Sequence, residues 1–319
     1  MKTKIVFSVV SGENDIYLSQ AMTAAFSCRY YNPESTILLV VDESTAMLIE
    51  QKLSNIKKYI NEIVIVKTPQ DYSKKLRSRY LKTTLRQAVT GDFLFIDTDT
   101  IITESLESID STAADIAAVL DRHISVKEHR TKSKIEQDIS SVDLILPDLH
   151  DKYFNSGVMF VRDTPISHKL FAKWHLYWNL SLELGSGIDQ PALAKANKDC
   201  GYPIVELSGI WNCQLCDNFV NYLHDAKILH YFASNNNSPY LLYSKRIFDE
   251  ILIKGEISEE LKYIIANTPK SYFVPNHLLV YGCEIPFLMT NLFKVYKFHK
   301  TIFGIFEYVA RIIIRKKIF

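Results

Sequence analysis

The sequence predicts an α/β fold in which a mostly parallel sheet is flanked by helices. Apolar segments of strand length alternate with helical segments through the first hundred residues. The first apolar segment, residues 4–10, has no period-two polar face, which is typical of a strand covered on both sides. Alternation of this length indicates crossover helices, which join strands that run parallel.

The elements can be placed in order from these patterns. In the first part of the chain we expect strands over residues 4–10, 37–41, 63–67 and 93–96, and helices over 17–31, 45–58 and 74–89. Asn32-Pro33, Thr68-Pro69 and Gly91 supply stop signals between them. Farther on we expect strands over 116–120 and 154–161, helices over 166–182 and 189–197, and short strands near 205, 210 and 227–231. The polar segment 121–149 is expected to be a loop or lid.

The composition excludes several classes of protein. The 319 residues are 47% hydrophobic and 23% charged with a formal net charge of +1, so we expect a globular protein without a nucleic-acid partner. Five cysteines without a framework spacing suit a reducing compartment. The N-terminal apolar run stops at Ser11-Gly12 without a cleavage site, and no segment reaches the roughly 18 apolar residues of a membrane span. These features predict a cytoplasmic location.

Two aspartates follow the predicted strand 93–96. Asp97 and Asp99 are spaced i, i+2, so both carboxylates project to the same side of an extended backbone. They repel each other unless a cation compensates, and they lie at the carboxyl end of a strand, where ligands bind in open α/β sheets. Carboxylate oxygens suit Mg²⁺ or Mn²⁺, which can bridge a diphosphate. The alternative is an Asp-Thr-Asp turn without a ligand.

Five short motifs follow one another along the chain. They are residues 78–81 (Ser-Arg-Tyr-Leu), 97–99 (Asp-Thr-Asp), 153–158 (Tyr-Phe-Asn-Ser-Gly-Val), 187–190 (Gly-Ile-Asp-Gln) and 229–231 (Leu-His-Tyr). In this order they resemble the motifs of the GT-A-fold glycosyltransferases of family eight, the retaining galactosyl- and glucosyltransferases related to glycogenin. The resemblance covers roughly residues 4–235. It implies a Rossmann-like nucleotide-diphospho-sugar transferase fold and a nucleotide-sugar donor.

The resemblance also implies a role for individual residues. The metal ligands would be Asp97, Asp99 and His230, and the imidazole favours Mn²⁺ over Mg²⁺. The catalytic residues would be Asn155, Asp189 and Gln190. The donor-binding residues would be Ser8, Val10, Tyr17, Arg79, Asp97, Thr98, Asp99, Ser156 and Ser234. Because no carboxylate is evident beside the reacting carbon, front-face return is expected rather than a covalent intermediate.

Each of these residues has a purely structural interpretation. His230 could be a satisfied core histidine, Asp189 a helix N-cap, and residues 155–157 a strand bulge. Two departures from the family bear on donor binding. Residues 9–11 (Val-Val-Ser) replace its polar, often acidic residue after strand one, and no lysine follows His230 until Lys245. Cys213 and Cys216 form an isolated Cys-x-x-Cys, which we interpret as packing cysteines.

The C-terminal segment differs from the rest of the chain. Residues 287–319 hold seven Lys/Arg and one acid, whereas the preceding 286 residues have a formal charge of −5. Apolar residues recur at i+3 and i+4 steps from Leu292 to Ile313, which predicts a basic amphipathic helix. Such a helix suits an anionic membrane surface, and the alternative is a helix docked on the domain. We therefore divide the chain into a GT-A domain (1–285) and a membrane-associating amphipathic tail (286–319).

The predicted function is metal-dependent transfer of a hexose from UDP-galactose or UDP-glucose, with retention. The acceptor is expected to be a glycan or lipid-linked saccharide in the synthesis of cell-surface polysaccharide or lipopolysaccharide, at the inner face of the cell membrane. One alternative is a sugar-nucleotide nucleotidyltransferase, although residues 11–14 (Ser-Gly-Glu-Asn) make a poor glycine-rich loop. The other is a non-catalytic membrane-associated scaffold with the same fold.

Overall fold

The structure, a computed structural model, describes residues 1–129, 131–216, 218–232, 242 and 244–275, together with 301–302, 304–305, 308–309 and 312. Its strands are β1 (Lys4–Val9), β2 (Ile37–Asp42), β3 (Glu62–Val66), β4 (Phe93–Ile96), β5 (Thr100–Ile102), β6 (Ile116–Leu120), β7 (Phe154–Val161), β8 (Ile204–Glu206), β9 (Cys213–Gln214) and β10 (Ile228–His230). Its α-helices are α1 (Tyr17–Tyr31), α2 (Glu43–Lys52), α3 (Lys74–Thr83), α4 (Leu85–Ala88), α5 (Lys132–Ser140), α6 (Pro165–Glu183), α7 (Gln190–Asp199), α8 (Val220–Leu223), α9 (Lys245–Lys254) and α10 (Glu259–Asn267).

A seven-stranded sheet forms the centre of the molecule. Its order is β3-β2-β1-β4-β7-β6-β8, and β7 alone runs antiparallel to both of its neighbours. The other four pairings are parallel, so the predicted mostly parallel sheet is confirmed. A smaller sheet, β5-β10-β9, lies beside the carboxyl end of β4 and brings the end of β10 to the same edge.

Two hydrophobic cores explain why the strands read as continuous apolar runs. Alternate residues of β1 enter different cores, with Phe7 packed on the side of α1 and Val6 on the side of α3 and α6. Strands β2, β4 and β7 are buried at every position. Trp174 and Trp178 of α6 are fully buried in the second core, as their i, i+4 spacing indicates.

Local departures from the predicted elements have local causes. The predicted helix 45–58 ends at Lys52 and continues as a 3₁₀ helix (Ser54–Lys58), because buried Leu53 leaves helical geometry at φ −139° and ψ 36°. The predicted helix 74–89 breaks at Thr84, whose hydroxyl donates to the Tyr80 carbonyl at 2.7 Å. Segment 121–149 is not a plain loop, because it contains α5. The pairing of β6 with β7 shifts register between Ala118, opposite Met159, and Leu120, opposite Phe154, so the extra residues lie in β7 over 155–158.

The described part of the C-terminal tail is helical and exposed. Its apolar side chains, Ile302, Ile305, Tyr308, Val309 and Ile312, are 39–66% exposed. The rest of segment 286–319 lies outside the described residues. Among the helices that are described, none is both long enough and apolar enough to cross a membrane.

Candidate active site

A cleft of about 600 Å³ opens at the carboxyl ends of β1 and β4. Its volume suits a small-molecule ligand. The described members of the predicted site all line it: Ser8, Val10, Tyr17, Arg79, Asp97, Thr98, Asp99, Asn155, Ser156, Asp189, Gln190 and His230. Ser234 lies outside the described residues. Five motifs that are far apart in sequence therefore meet at one edge of the sheet.

Backbone hydrogen bonds hold the two aspartates beside His230. The Asp97 amide donates to the Gly157 carbonyl at 2.7 Å, and the Tyr231 amide donates to the Asp99 carbonyl at 3.1 Å. Carboxylate oxygens of both aspartates and an imidazole nitrogen of His230 all lie within 4.8 Å of one another. These three side chains therefore form a compact set of two oxygen ligands and one nitrogen ligand.

The electrostatics of the pair are asymmetric. Burial raises the pKa of the Asp97 carboxyl above its usual range. Burial acts in the same direction on Asp99, but the charge of His230 and its hydrogen bond outweigh burial and lower the pKa of Asp99. Lys82 acts to lower the pKa of Asp97, but burial and the charge of Asp99 outweigh it, whereas His230 Nε2 lies 3.2 Å from Asp99 Oδ1 and lowers the pKa of that carboxyl.

A chain of side-chain amides fixes the orientation of His230. The Gly157 amide can only donate, and it donates to Asn155 Oδ1 at 2.9 Å. Asn212 Nδ2 donates to the same oxygen at 3.0 Å, so Asn212 Oδ1 faces His230 Nδ1 at 2.9 Å and accepts its proton. When the imidazole is neutral, its Nε2 lone pair therefore faces Asp99.

This arrangement fits a divalent cation. Nε2 and the carboxylate of Asp99 face each other as two acceptors, which requires either a second proton on the ring or a cation between them. Carboxylate oxygens with one imidazole match the ligand preferences of Mn²⁺, with Mg²⁺ less favoured. A hydrogen bond to the distal ring nitrogen is the usual support of a metal-bound histidine.

Gly157 provides the space in which these groups meet. A Cβ at this position would lie 2.5 Å from His230 Cε1, 2.8 Å from Asn155 Oδ1 and 2.9 Å from Asp97 Oδ2. Separations this short essentially never occur for real Cβ atoms. A side chain at residue 157 would therefore displace the groups around the acidic pair. The same stretch of β7 is also irregular, as the bulge alternative predicts, because its pairing with β6 shifts register between Met159 and Phe154.

Asp189 also lines the cleft. It occupies the N-cap position of α7, but its side chain makes no capping hydrogen bond. Its carboxylate instead pairs with Arg79 Nε at 3.0 Å and accepts from Ser156 Oγ at 3.2 Å, while Trp174 Nε1 donates to its carbonyl at 2.8 Å. Burial acts to raise the pKa of Asp189, but Arg79 outweighs burial and lowers it.

Four polar residues of the site were missed by the sequence analysis. Asp121 directly follows β6 and accepts from Asn155 Nδ2 at 2.9 Å. Asp15 lies at the other end of the cleft, where its carboxylate accepts from Ser11 Oγ at 2.6 Å and from Lys74 Nζ at 2.7 Å. Lys82 and Asn212 are the others. An acid directly after a predicted strand, the signal used for Asp97, could have identified Asp121.

The isolated cysteine pair is not part of the cleft. Cys213 is buried and its Sγ lies 3.6 Å from the Phe219 carbonyl, while Cys216 is half-buried. Burial raises the pKa of Cys213 to about 12, so its thiol stays protonated at neutral pH.

The sheet and its cleft define an α/β fold with a small-molecule cleft at the carboxyl edge of the sheet, and comparison with known proteins identifies the family. Residues 34–244 match the family model described as nucleotide-diphospho-sugar transferase. The chain belongs to this family. The resemblance to the GT-A glycosyltransferases of family eight that the sequence motifs indicate is confirmed. No curated protein matches the sequence.

Several solved structures share the fold. The galactosyltransferase LgtC, in complex with donor and acceptor sugar analogs, aligns with a TM-score of 0.53 and 17% identity over 81% of this chain and 98% of that chain. The bifunctional glycosyltransferase WbbM, in its apo form, aligns with a TM-score of 0.52 and 17% identity over 84% of this chain and 50% of that chain. The glycosyltransferase GlyE of Streptococcus pneumoniae TIGR4 aligns with a TM-score of 0.50 and 16% identity over 83% of this chain and 63% of that chain. At these identities the similarity concerns the fold.

Proposed function

We propose that the protein transfers a hexose from a uridine-diphosphate sugar, UDP-galactose or UDP-glucose, to a glycan acceptor with retention of configuration. The observation that carries the proposal is the Asp97, Asp99 and His230 set at the carboxyl edge of the sheet. The amide chain through Asn155 and Asn212 supports it, because it leaves the Nε2 lone pair of His230 available as a ligand. A divalent metal held by these three residues would supply Lewis-acid charge for the departing diphosphate.

Asp189 and its neighbours would bind the sugar. Asp189, held by Arg79 and Ser156, is an ionised acceptor for sugar hydroxyls, and its lowered pKa keeps it charged at neutral pH. Gln190 is anchored by donation of Nε2 to the Phe154 carbonyl at 3.0 Å. Asn155 uses its amide within the protein, so its contribution would be to position Asp121 and the histidine chain.

The chemistry follows from these positions. The acceptor hydroxyl would approach the anomeric carbon from the face on which the diphosphate departs. The bond from this carbon to the diphosphate oxygen breaks, the bond to the acceptor oxygen forms, and the acceptor proton passes to the departing diphosphate. Ser8, Val10 and Tyr17 line the end of the cleft near Asp15, where they would contact the base and ribose. The family assignment favours this reaction over nucleotidyl transfer.

The tail would place the enzyme at its acceptor. The exposed apolar side chains of the described tail residues, Ile302 to Ile312, support contact with a lipid surface rather than docking on the domain. The cations of segment 286–319 suit anionic headgroups. Such a peripheral enzyme would act on a lipid-linked saccharide or surface polysaccharide at the inner face of the membrane.

A thermal-shift panel of nucleotide sugars with and without Mn²⁺ tests the proposal. A donor at about 100 times its Kd stabilises the folded state by about 2.7 kcal/mol, which corresponds to an increase in Tm of about 4 °C for a chain of this length. We expect this increase with a UDP-hexose and Mn²⁺ together, and we expect Asp97→Asn to abolish it. An increase that is independent of Mn²⁺, or that persists in Asp97→Asn, contradicts the proposal.

A further inference from the structure

A lysine ammonium lies on the carboxylate that begins the Asp-Thr-Asp motif. Lys82 Nζ is 2.8 Å from Asp97 Oδ1 and 2.9 Å from Asp97 Oδ2, so one cation bridges both oxygens. The Lys82 side chain is only 4% exposed, and its Nζ also lies 5.2 Å from the centre of the Phe95 ring. The ammonium is therefore a buried charge at one of the proposed metal ligands.

The placement of Lys82 follows from helix α3. Arg79 and Lys82 are spaced i, i+3, so both side chains leave the same face of the helix and both line the cleft. Arg79 pairs with Asp189 and Lys82 pairs with Asp97. Two cations thus already offset most of the charge of the three neighbouring carboxylates Asp97, Asp99 and Asp189.

A divalent ion without a nucleotide would have to compete with the Lys82 ammonium for Asp97. To coordinate an oxygen of Asp97, the ion must share that carboxylate with the Lys82 ammonium, which is 2.8 Å from Oδ1 and 2.9 Å from Oδ2. Two cations held on one carboxylate repel each other. If the ammonium moves away, it needs another anion, because an unpaired buried charge is costly. Asp189 is already engaged by Arg79 and Ser156.

A nucleoside diphosphate would supply the missing anion. Lysine is a compact point charge with rotatable donors, and its flexible stem lets the ammonium swing from one oxygen ligand to another. The sequence has no lysine or arginine between His230 and Lys245, where the family commonly has a diphosphate-contacting lysine. Lys82 is a buried cation already within the cleft and available for that purpose.

We propose that Lys82 occupies Asp97 until a diphosphate arrives and then transfers its ammonium to the diphosphate, so that metal and donor bind together and the metal alone binds weakly. This inference rests on the proposed function, because it requires Asp97 to be a metal ligand. Lys82 acts as the internal counter-ion of the empty site and as a phosphate ligand of the loaded one. The affinity for metal is thereby coupled to the presence of the donor.

Binding of Mn²⁺ to the nucleotide-free protein tests whether Lys82 weakens the binding of metal alone. We would measure the Kd by electron paramagnetic resonance of free Mn²⁺ for the wild type, Lys82→Met and Lys75→Met. Lys75 is the matched control, because it is on the same helix and lines the same cleft, but its side chain is exposed. Freeing Asp97 should tighten Mn²⁺ binding at least about tenfold in Lys82→Met, whereas Lys75→Met should stay within about twofold of the wild type.

Binding of UDP at saturating Mn²⁺ tests whether Lys82 becomes a ligand of the diphosphate. We expect Lys82→Met to weaken UDP binding by about tenfold, in contrast to the tighter binding of Mn²⁺ alone. Lys82→Arg keeps the positive charge and should retain weak binding of Mn²⁺ alone. Lys82→Gln is a second neutral variant with the same expected results as Lys82→Met, for use if the methionine variant does not fold.

Asp97→Asn separates failure of this inference from failure of the proposed function. If Asp97→Asn loses Mn²⁺ binding while Lys82→Met binds Mn²⁺ no more tightly than the wild type, the role of Lys82 is overturned and the metal site stands. Unchanged UDP binding in Lys82→Met overturns the transfer of the ammonium. If Asp97→Asn binds Mn²⁺ like the wild type, the metal site itself is wrong.

Discussion

Gly157→Ala is the smallest change that should disable the proposed metal site. A Cβ at residue 157 would lie 2.5 Å from His230 Cε1 and 2.9 Å from Asp97 Oδ2, on two of the three proposed metal ligands. Ordinary van der Waals contact begins at 3.4 Å, so the imidazole would have to retreat by about 0.9 Å. His230 is buried and bonded to Asn212, so little space is available for this movement.

The size of the effect follows from that displacement. Metal–ligand distances tolerate about 0.2 Å, and a misplacement of about 1 Å at a reacting centre can cost about 100-fold in rate. We therefore expect Mn²⁺-dependent turnover to fall about 100-fold in Gly157→Ala. Overpacking of this kind costs about 1–3 kcal/mol of unfolding free energy, so the variant should fold with a Tm lowered by a few degrees.

The assay is release of UDP from UDP-galactose and UDP-glucose as a function of Mn²⁺ concentration, with the Tm measured in parallel. Gly209→Ala is the matched control, because its Cβ would lie 2.6 Å from Tyr222 Cδ2, outside the cleft. It should lose stability comparably and keep its dependence on Mn²⁺. Full metal-dependent activity in Gly157→Ala, or an equal loss in both variants, would refute the role given to Gly157.

Three further results are expected. Asn212→Leu removes the acceptor of His230 Nδ1 and should weaken Mn²⁺ binding about 10–100-fold in a calorimetric titration; an unchanged affinity contradicts the amide chain. Because folding lowers the pKa of Asp189, the Asp189 carboxylate stabilises the folded state above its unfolded pKa of about 4. This stabilisation is lost as the pH falls through the pKa of the folded state. Urea unfolding should thus show a steeper loss of stability below about pH 4 in the wild type than in Asp189→Asn, and parallel curves count against the Arg79 pairing. Replacing the three cations of residues 315–317 by glutamine should lower the affinity for phosphatidylserine vesicles about 100-fold, at about 1 kcal/mol per charge, as measured by sedimentation with the vesicles. Vesicle binding that does not depend on salt contradicts the membrane role.

Much of the fold could be predicted from the sequence because burial on both faces leaves a simple pattern. Strands such as β1 and β2 appear as unbroken apolar runs, since their alternate residues enter two different cores. Asp97 and Asp99 could be found for a related reason, because charge directly after a buried strand marks the edge where ligands bind. The helix breaks at Leu53 and Thr84 were missed because tertiary burial and a side-chain hydrogen bond set them.

The polar residues behind the site could not be found in this way. Asn212 acquires its function only when β9 and β10 bring it against His230, and nothing in its local sequence marks that contact. Lys82 looks like an ordinary solvated lysine of an amphipathic helix until α3 packs against β1, β2 and α6 and Lys82 is buried on Asp97. Single-sequence patterns report which faces are buried, whereas these two residues depend on which partner each face meets.

The most direct test of the metal and nucleotide site is a crystal structure with Mn²⁺ and UDP, using the anomalous signal of manganese to locate the ion. We expect one anomalous peak in the cleft, at coordination distance from Asp97, Asp99 and His230, with the diphosphate bound to the same ion. A nucleotide bound in the cleft with these three side chains free of metal, or turned away from it, would contradict the central claim.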